Sequence, residues 1–179
     1  MMDFSKLLSR RNFFAGSSAL AVSLVATRQT QARQGEHDEG FTYEVQFTEE
    51  EWRAKLSDLE YAILRGGHTE KQKTSPLWQE FRAGAYHCKG CDIKSFDAIW
   101  KWFPAGKGWA FFEQSEPNNV LFDIDGPVPE YGMSTSVQAV TEVHCRRCGS
   151  HLGHHLVLER KATHCINGTA LVFKPEEAS

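Results

Sequence analysis

The stretch Cys145–Asn167, C-R-R-C-G-S-H-L-G-H-H-L-V-L-E-R-K-A-T-H-C-I-N, holds three of the chain's five cysteines and four of its eight histidines. Cys145 and Cys148 form a C-x-x-C, and a second C-x-x-C stands more than fifty residues upstream at Cys88 and Cys91. Two such knuckles on separate segments have the spacing of a four-thiolate zinc site, whose closed tetrahedral shell leaves no position for substrate. A metal held that way is a structural staple. Two disulfides are the alternative in an exported chain, although a bond within C-x-x-C closes a tight ring more typical of redox motifs. Either way Cys165 has no partner left, and a lone cysteine among histidines is a candidate nucleophile.

His151 and His154 lie three apart with Gly153 between them, so a loop or bend can bring both rings to one pocket beside Cys165. A ring placed there can supply the proton that thiol chemistry needs. For His144, His155 and His164 a surface or hydrogen-bonded structural role is expected.

H-C-R-R-C-G-S-H-L-G-H, the later H-C-I-N, and F-T-E-E-E-W-R-A-K-L from Phe47 resemble the peptide-methionine (R)-S-oxide reductases, the B-type methionine sulfoxide reductases. The resemblance covers residues 47–175. It implies thiol-dependent reduction of methionine (R)-sulfoxide, free or in oxidised proteins, with attack by Cys165 on the sulfoxide sulfur. Further implied roles are proton donation by His151 and His154, a supporting amide at Asn167, and a substrate-facing indole at Trp109. One structural zinc would sit on Cys88, Cys91, Cys145 and Cys148. Many members carry a resolving cysteine where this chain has Lys107, and no cysteine remains here beyond the four of the knuckles and Cys165. The sulfenic acid formed at Cys165 therefore requires an external reductant, a thioredoxin-like protein or a small thiol.

The chain departs from the family pattern close to the site. Ala110 and Phe111 follow Trp109 in place of Pro and Ser, Thr163 replaces Arg, and Gly168 replaces Ser. The segment between His154 and Cys165 is short and lacks a D-G-P turn. These changes bear on substrate and rate more than on fold. The competing reading is a non-catalytic or weakly active zinc-stapled binding module, as in the Mss4-like relatives of this fold.

The elements that must position these residues read as mainly β (α+β): antiparallel sheets stapled by zinc, with short helices at the front. Strands are expected at Ala85–Cys88, Ala110–Phe112, Val120–Ile124, Val137–Val143, His155–Leu158 and Thr169–Phe173, separated by Gly and Pro. Thr48–Glu51 and Ser57–Glu60 are two capping boxes, and Gly66-Gly67 is a stop signal. Length (179 residues), 41% hydrophobic and 24% charged residues fit one globular domain. A net charge of -3 with scattered basic residues argues against a nucleic-acid partner. At the front, Ser9-Arg10-Arg11-Asn12-Phe13-Phe14 resembles a twin-arginine signal, followed by an apolar run, Ala15 to Ala26, too short to span a bilayer comfortably. Residues 1–32 are thus expected to be a signal peptide for periplasmic export, with no stable membrane insertion after cleavage, and 33–46 a loose lead-in.

Overall fold

A computed structural model describes residues 41–133 and 138–177. The signal-peptide expectation and its cleavage site lie outside the described residues. None of the described helices is long and apolar enough to cross a membrane.

Two short helices open the domain, α1 (Glu49–Lys55) and α2 (Asp58–Leu64). Both begin with the expected capping boxes: Thr48 and Ser57 accept from the N–H of Glu51 and Glu60, whose carboxylates return the bond. Trp52 and Leu56 turn inward from one face of α1 and are buried. Gly67 takes the left-handed conformation that ends α2. Of the expected lead-in, residues 41–46 are described. They lie along the second knuckle, with the Val45 N–H donating to the Arg147 carbonyl at 2.9 Å and Tyr43 buried.

Among the described residues, nine strands follow in two antiparallel sheets. The smaller has the order β2-β1-β9, from β2 (Lys94–Asp97), β1 (Gly84–Cys88) and β9 (Leu171–Pro175). The larger runs β3-β4-β8-β7-β6-β5, from β3 (Lys101–Trp102), β4 (Ala110–Phe112), β8 (Lys161–Ile166), β7 (His151–Leu158), β6 (Val140–Cys145) and β5 (Val120–Asp125). The mainly antiparallel β expectation holds. Three strands were not expected, β2, β3 and β8, and β7 starts four residues before the expected His155. The first residue of the expected strand at Val137 lies outside the described residues.

Alternation divides the larger sheet into two faces. One face packs on the smaller sheet through Phe112, which stacks on Phe96 at 4.5 Å and meets Tyr86 edge-on at 4.9 Å. Ile63, Leu64, Leu152 and Ile166 join this main core. The other face carries a separate apolar cluster of Trp109, Phe111 and Cys165, flanked by Trp102, Tyr131, Leu156 and Leu158. Trp100 and Trp102 are only partly buried, and Trp102 packs against this second cluster. It is on that face that the chemistry collects.

Candidate active site

The two knuckles are turns at the ends of different sheets. Cys88–Cys91 closes the β1–β2 hairpin, and Cys145–Cys148 closes the β6–β7 connection, where the Cys145 N–H donates to the Ser150 carbonyl at 2.9 Å. Sγ–Sγ separations are 3.7 Å for Cys88–Cys148 and 3.5 Å for Cys91–Cys145, and all four sulfurs lie within 4.8 Å of one another. A tetrahedron with Zn–S of about 2.3 Å has edges of about 3.8 Å, so the four cysteines are positioned to hold a zinc ion. Hydrogen bonds from the other three thiols drive the Cys148 ionisation down, whereas Cys88 and Cys145 are pushed up. Four thiolates can coexist there only around a cation. Arg65, buried over the Trp52 ring, donates to the Cys148 carbonyl at 3.1 Å and closes the site from the helical side.

Register places the thiol. Cys165 on β8 pairs with Phe111 on β4 and with His154 on β7, which in turn pairs with Glu142 on β6. Residues opposite one another in antiparallel strands share a face. His151 would point to the other face in a regular strand, being three residues from His154. A β-bulge between β6 and β7 restores it to the same side, with the ring centroids 5.1 Å apart. Thus both histidines reach one face from within a strand, not from a loop. The bulge depends on Gly153, where a Cβ would lie 2.1 Å from the Cys165 carbonyl oxygen.

Each histidine carries a carboxylate. His154 Nε2 donates to Asp125 at 3.0 Å, and His151 Nδ1 donates to Glu142 at 2.6 Å. Burial lowers the His154 pKa, opposed by its Asp125 hydrogen bond, so the ring is neutral at pH 7. Burial alone would raise Glu142, but the His151 hydrogen bond holds it below the ordinary carboxylate value. Asp125, His151 and His154 also bring possible metal-ligand atoms within 4.8 Å, but these hydrogen bonds already account for that grouping.

Cys165 is 2% exposed, and burial pushes its thiol up to about 12, partly offset by a hydrogen bond from Tyr131. It sits at a cavity of about 330 Å³ lined by Trp109, Phe111, Leu156, Leu158 and Tyr131, with Lys107, Gln72 and Glu130 as polar members. Phe111, one of the departures, adds apolar wall directly beside the thiol. Trp109 is held through its indole N–H, which donates to the Glu70 carbonyl at 2.9 Å. Glu70 is itself buried, and its carboxylate accepts from the N–H groups of Gly168 and Thr169, both at 2.8 Å. Asn167 completes this brace: its side-chain oxygen accepts from the Glu70 N–H at 2.9 Å and its amide donates to the Leu152 carbonyl at 3.1 Å. Both ends of the amide are engaged, which ties Asn167 to the position of Trp109 and β7, with no contact to the Cys165 sulfur among the described residues.

The other departures have local explanations. Thr163 accepts from the Trp102 indole N–H at 2.8 Å and donates to the Phe112 carbonyl at 3.1 Å. At Gly168 a Cβ would stand 2.3 Å from the Ser75 hydroxyl, so Ser75 fills the space a serine there would need. His164 faces the main core beside Phe96 and donates to the Phe112 carbonyl at 3.3 Å, a structural role as expected.

The match to known proteins is decisive. The SelR domain model matches residues 56–175. The chain belongs to the SelR, or MsrB, family. This SelR protein is 39% identical over 137 residues to the peptide methionine sulfoxide reductase MsrB of Cellvibrio japonicus, covering 74% of this chain and 91% of that protein. Against the MsrB of Agrobacterium fabrum the identity is 38% over 129 residues, covering 70% and 89%. Against the chloroplastic B1 protein of Oryza sativa it is 35% over 135 residues, covering 74% and 59%. The matched region contains both knuckles, the two histidines and Cys165.

Sequence reasoning missed Tyr131, Asp125, Glu142 and Glu70. Glu142 lies three residues before Cys145 and was readable as an alternating partner of the strand; Tyr131 and Asp125 sit in or beside a long β5–β6 connection that gave no signal.

His164 supplies a pH test. Burial lowers it from 6.5 to about 4, so between those values the unfolded chain binds more protons than the folded one. Its contribution is complete above pH 6.5 and disappears as the pH falls through about 4. Unfolding free energy, followed by denaturant titration, should decline over that window, and His164→Phe should flatten the decline. An unchanged slope in the variant contradicts the buried neutral ring.

Proposed function

We propose that this SelR-family protein reduces methionine (R)-sulfoxide, free or within oxidised proteins, through Cys165. The observation that carries the reading is a buried thiol at an apolar cavity, with an indole on one side and a carboxylate-backed histidine on the other. An indole and apolar wall suit the S-methyl group of the substrate, and the MsrB names of the relatives support the same chemistry. Cys165 attacks the sulfoxide sulfur, and His154, oriented by Asp125 and accompanied by His151, manages the proton that reaches the oxygen. Asn167 and Glu70 hold Trp109 and the end of β8 in place. A pure binding module has no use for this combination.

The four clustered cysteines would hold zinc, which supplies a structural tie between the two sheets. That assignment leaves Cys165 as the single redox thiol, so its sulfenic acid is reduced by an external dithiol protein or small thiol. We also infer export by the twin-arginine route, on the Ser9–Phe14 motif and the apolar run behind it. Fractionation of producing cells should find the protein in the periplasm, and Arg10→Lys with Arg11→Lys should retain it inside.

Assays with separated epimers and dithiothreitol as reductant should show turnover of the R sulfoxide alone. Cys165→Ser should abolish it, because a serine hydroxyl is too weak a nucleophile here. Preference for the S epimer, or an active Cys165→Ser protein, would contradict the reading. Elemental analysis should find one zinc per chain, and a strong chelator should abolish the folded β spectrum. A metal-free protein of full stability would exclude the metal tie.

A further inference from the structure

We propose that Tyr131 is a catalytic residue of this site, relaying the proton between Cys165 and His154; the inference rests on the reductase reading above. Its hydroxyl lies 3.3 Å from the Cys165 sulfur and 3.2 Å from His154 Nδ1. Among the described residues no hydrogen bond joins His154 directly to Cys165. With Nε2 committed to Asp125, Nδ1 is the ring's only route to the thiol, and that route passes through the phenol. The ring of Tyr131 is fixed edge-on against both Trp109 (centroids 5.3 Å apart) and His154 (5.5 Å).

The same two contacts serve either proton arrangement. In the resting site Cys165 is a thiol, His154 is neutral, and the phenol, whose hydroxyl stands within donating reach of the sulfur, turns its proton to Nδ1 as the S–H proton moves onto its oxygen. After transfer, Nδ1–H donates to the phenol oxygen and the phenol donates to the thiolate, with the imidazolium charge facing Asp125. Burial drives the phenol's own ionisation far above its ordinary value, so it passes a proton on only as it receives one. The thiol, raised by its own burial, cannot stand as a free thiolate at pH 7, which makes a coupled proton outlet a requirement of the attack.

Atoms and electrons balance without a further reagent in this half-reaction. The S–H proton of Cys165 leaves through Tyr131 to His154 as the sulfur approaches the substrate. The same proton returns through the phenol to the sulfoxide oxygen. The substrate S–O bond breaks, an S–O bond to Cys165 forms, the substrate sulfur gains two electrons and Cys165 loses two. The products are a thioether and Cys165 sulfenic acid. The cavity places Tyr131 where the oxygen must arrive, on the wall shared with Trp109 and Cys165.

Tyr131→Phe removes the hydroxyl and keeps the ring. In single turnovers of the zinc-loaded protein with the R sulfoxide, it should slow sulfenic acid formation by about 10²-fold or more, with little change in substrate affinity. The wild-type rate should fall on the acid side as His154 protonates, and that limb should vanish in Tyr131→Phe. A wild-type rate with the acid limb intact overturns the relay. A proton inventory of the wild-type protein in mixed light and heavy water gives an independent reading: two protons moving together produce a curved plot, and a straight line overturns the proposal. If the wild-type protein reduced neither epimer, the reductase reading would fall while the relay stayed measurable. Iodoacetamide should then alkylate Cys165 on the order of tenfold more slowly in Tyr131→Phe, and equal rates would overturn the relay.

Discussion

The pairing of β7 with β8 is the constraint on which the rest of this structure depends. It sets His154 directly across from Cys165, and it does so at a point where the Gly153 backbone touches the Cys165 carbonyl. A shift of one residue in this register would turn His154 and Cys165 to opposite faces. The second knuckle fixes where β7 begins, and the first knuckle fixes the neighbouring sheet against it. The Asn167–Glu70–Trp109 brace then ties the end of β8 to the far wall of the cavity. The four-cysteine cluster and Cys165 are therefore parts of one mechanical arrangement.

Burial decides what kind of nucleophile Cys165 can be. A thiol at an exposed helix terminus or beside a cation is activated in advance by a lowered pKa. Here the surroundings push it the other way, to about 12. The site resembles an acid–base pair held in readiness: a neutral thiol, a neutral histidine and a carboxylate behind it. On the proposed mechanism charge appears only when substrate is attacked, inside a cavity whose walls are largely apolar. On the proposed mechanism that arrangement protects the thiol from indiscriminate oxidation, since the reactive thiolate exists only along the reaction path.

Much of this was legible in the sequence because it is written in rare residue types at fixed spacing. Two C-x-x-C pairs, one solitary cysteine and two capping boxes each carry their own local physics. The strand that bears Cys165 was harder to read, since K-A-T-H-C-I is polar at its start and its burial comes from neighbours far along the chain. The bulge that aligns His151 with His154 was foreshadowed by Gly153, but only the strand pairing reveals that it occurs within β7. Tyr131 could not be found by spacing, because the β5–β6 connection brings it to the site through tertiary packing, and Asp125, the last residue of β5, reaches His154 only through the pairing of the strands. Asn167 shows the reverse case: the family resemblance implied a supporting role in the chemistry, whereas its hydrogen bonds describe a brace.

The central claim is that four thiols belong to the metal cluster and one, Cys165, to chemistry. Mass analysis of the zinc-loaded protein after exposure to the R sulfoxide without reductant tests it most directly. The account predicts one added oxygen per chain, located at Cys165 and trapped by a sulfenic-acid probe, with zinc retained and no disulfide. A disulfide between Cys165 and any knuckle cysteine, accompanied by release of zinc, would contradict it.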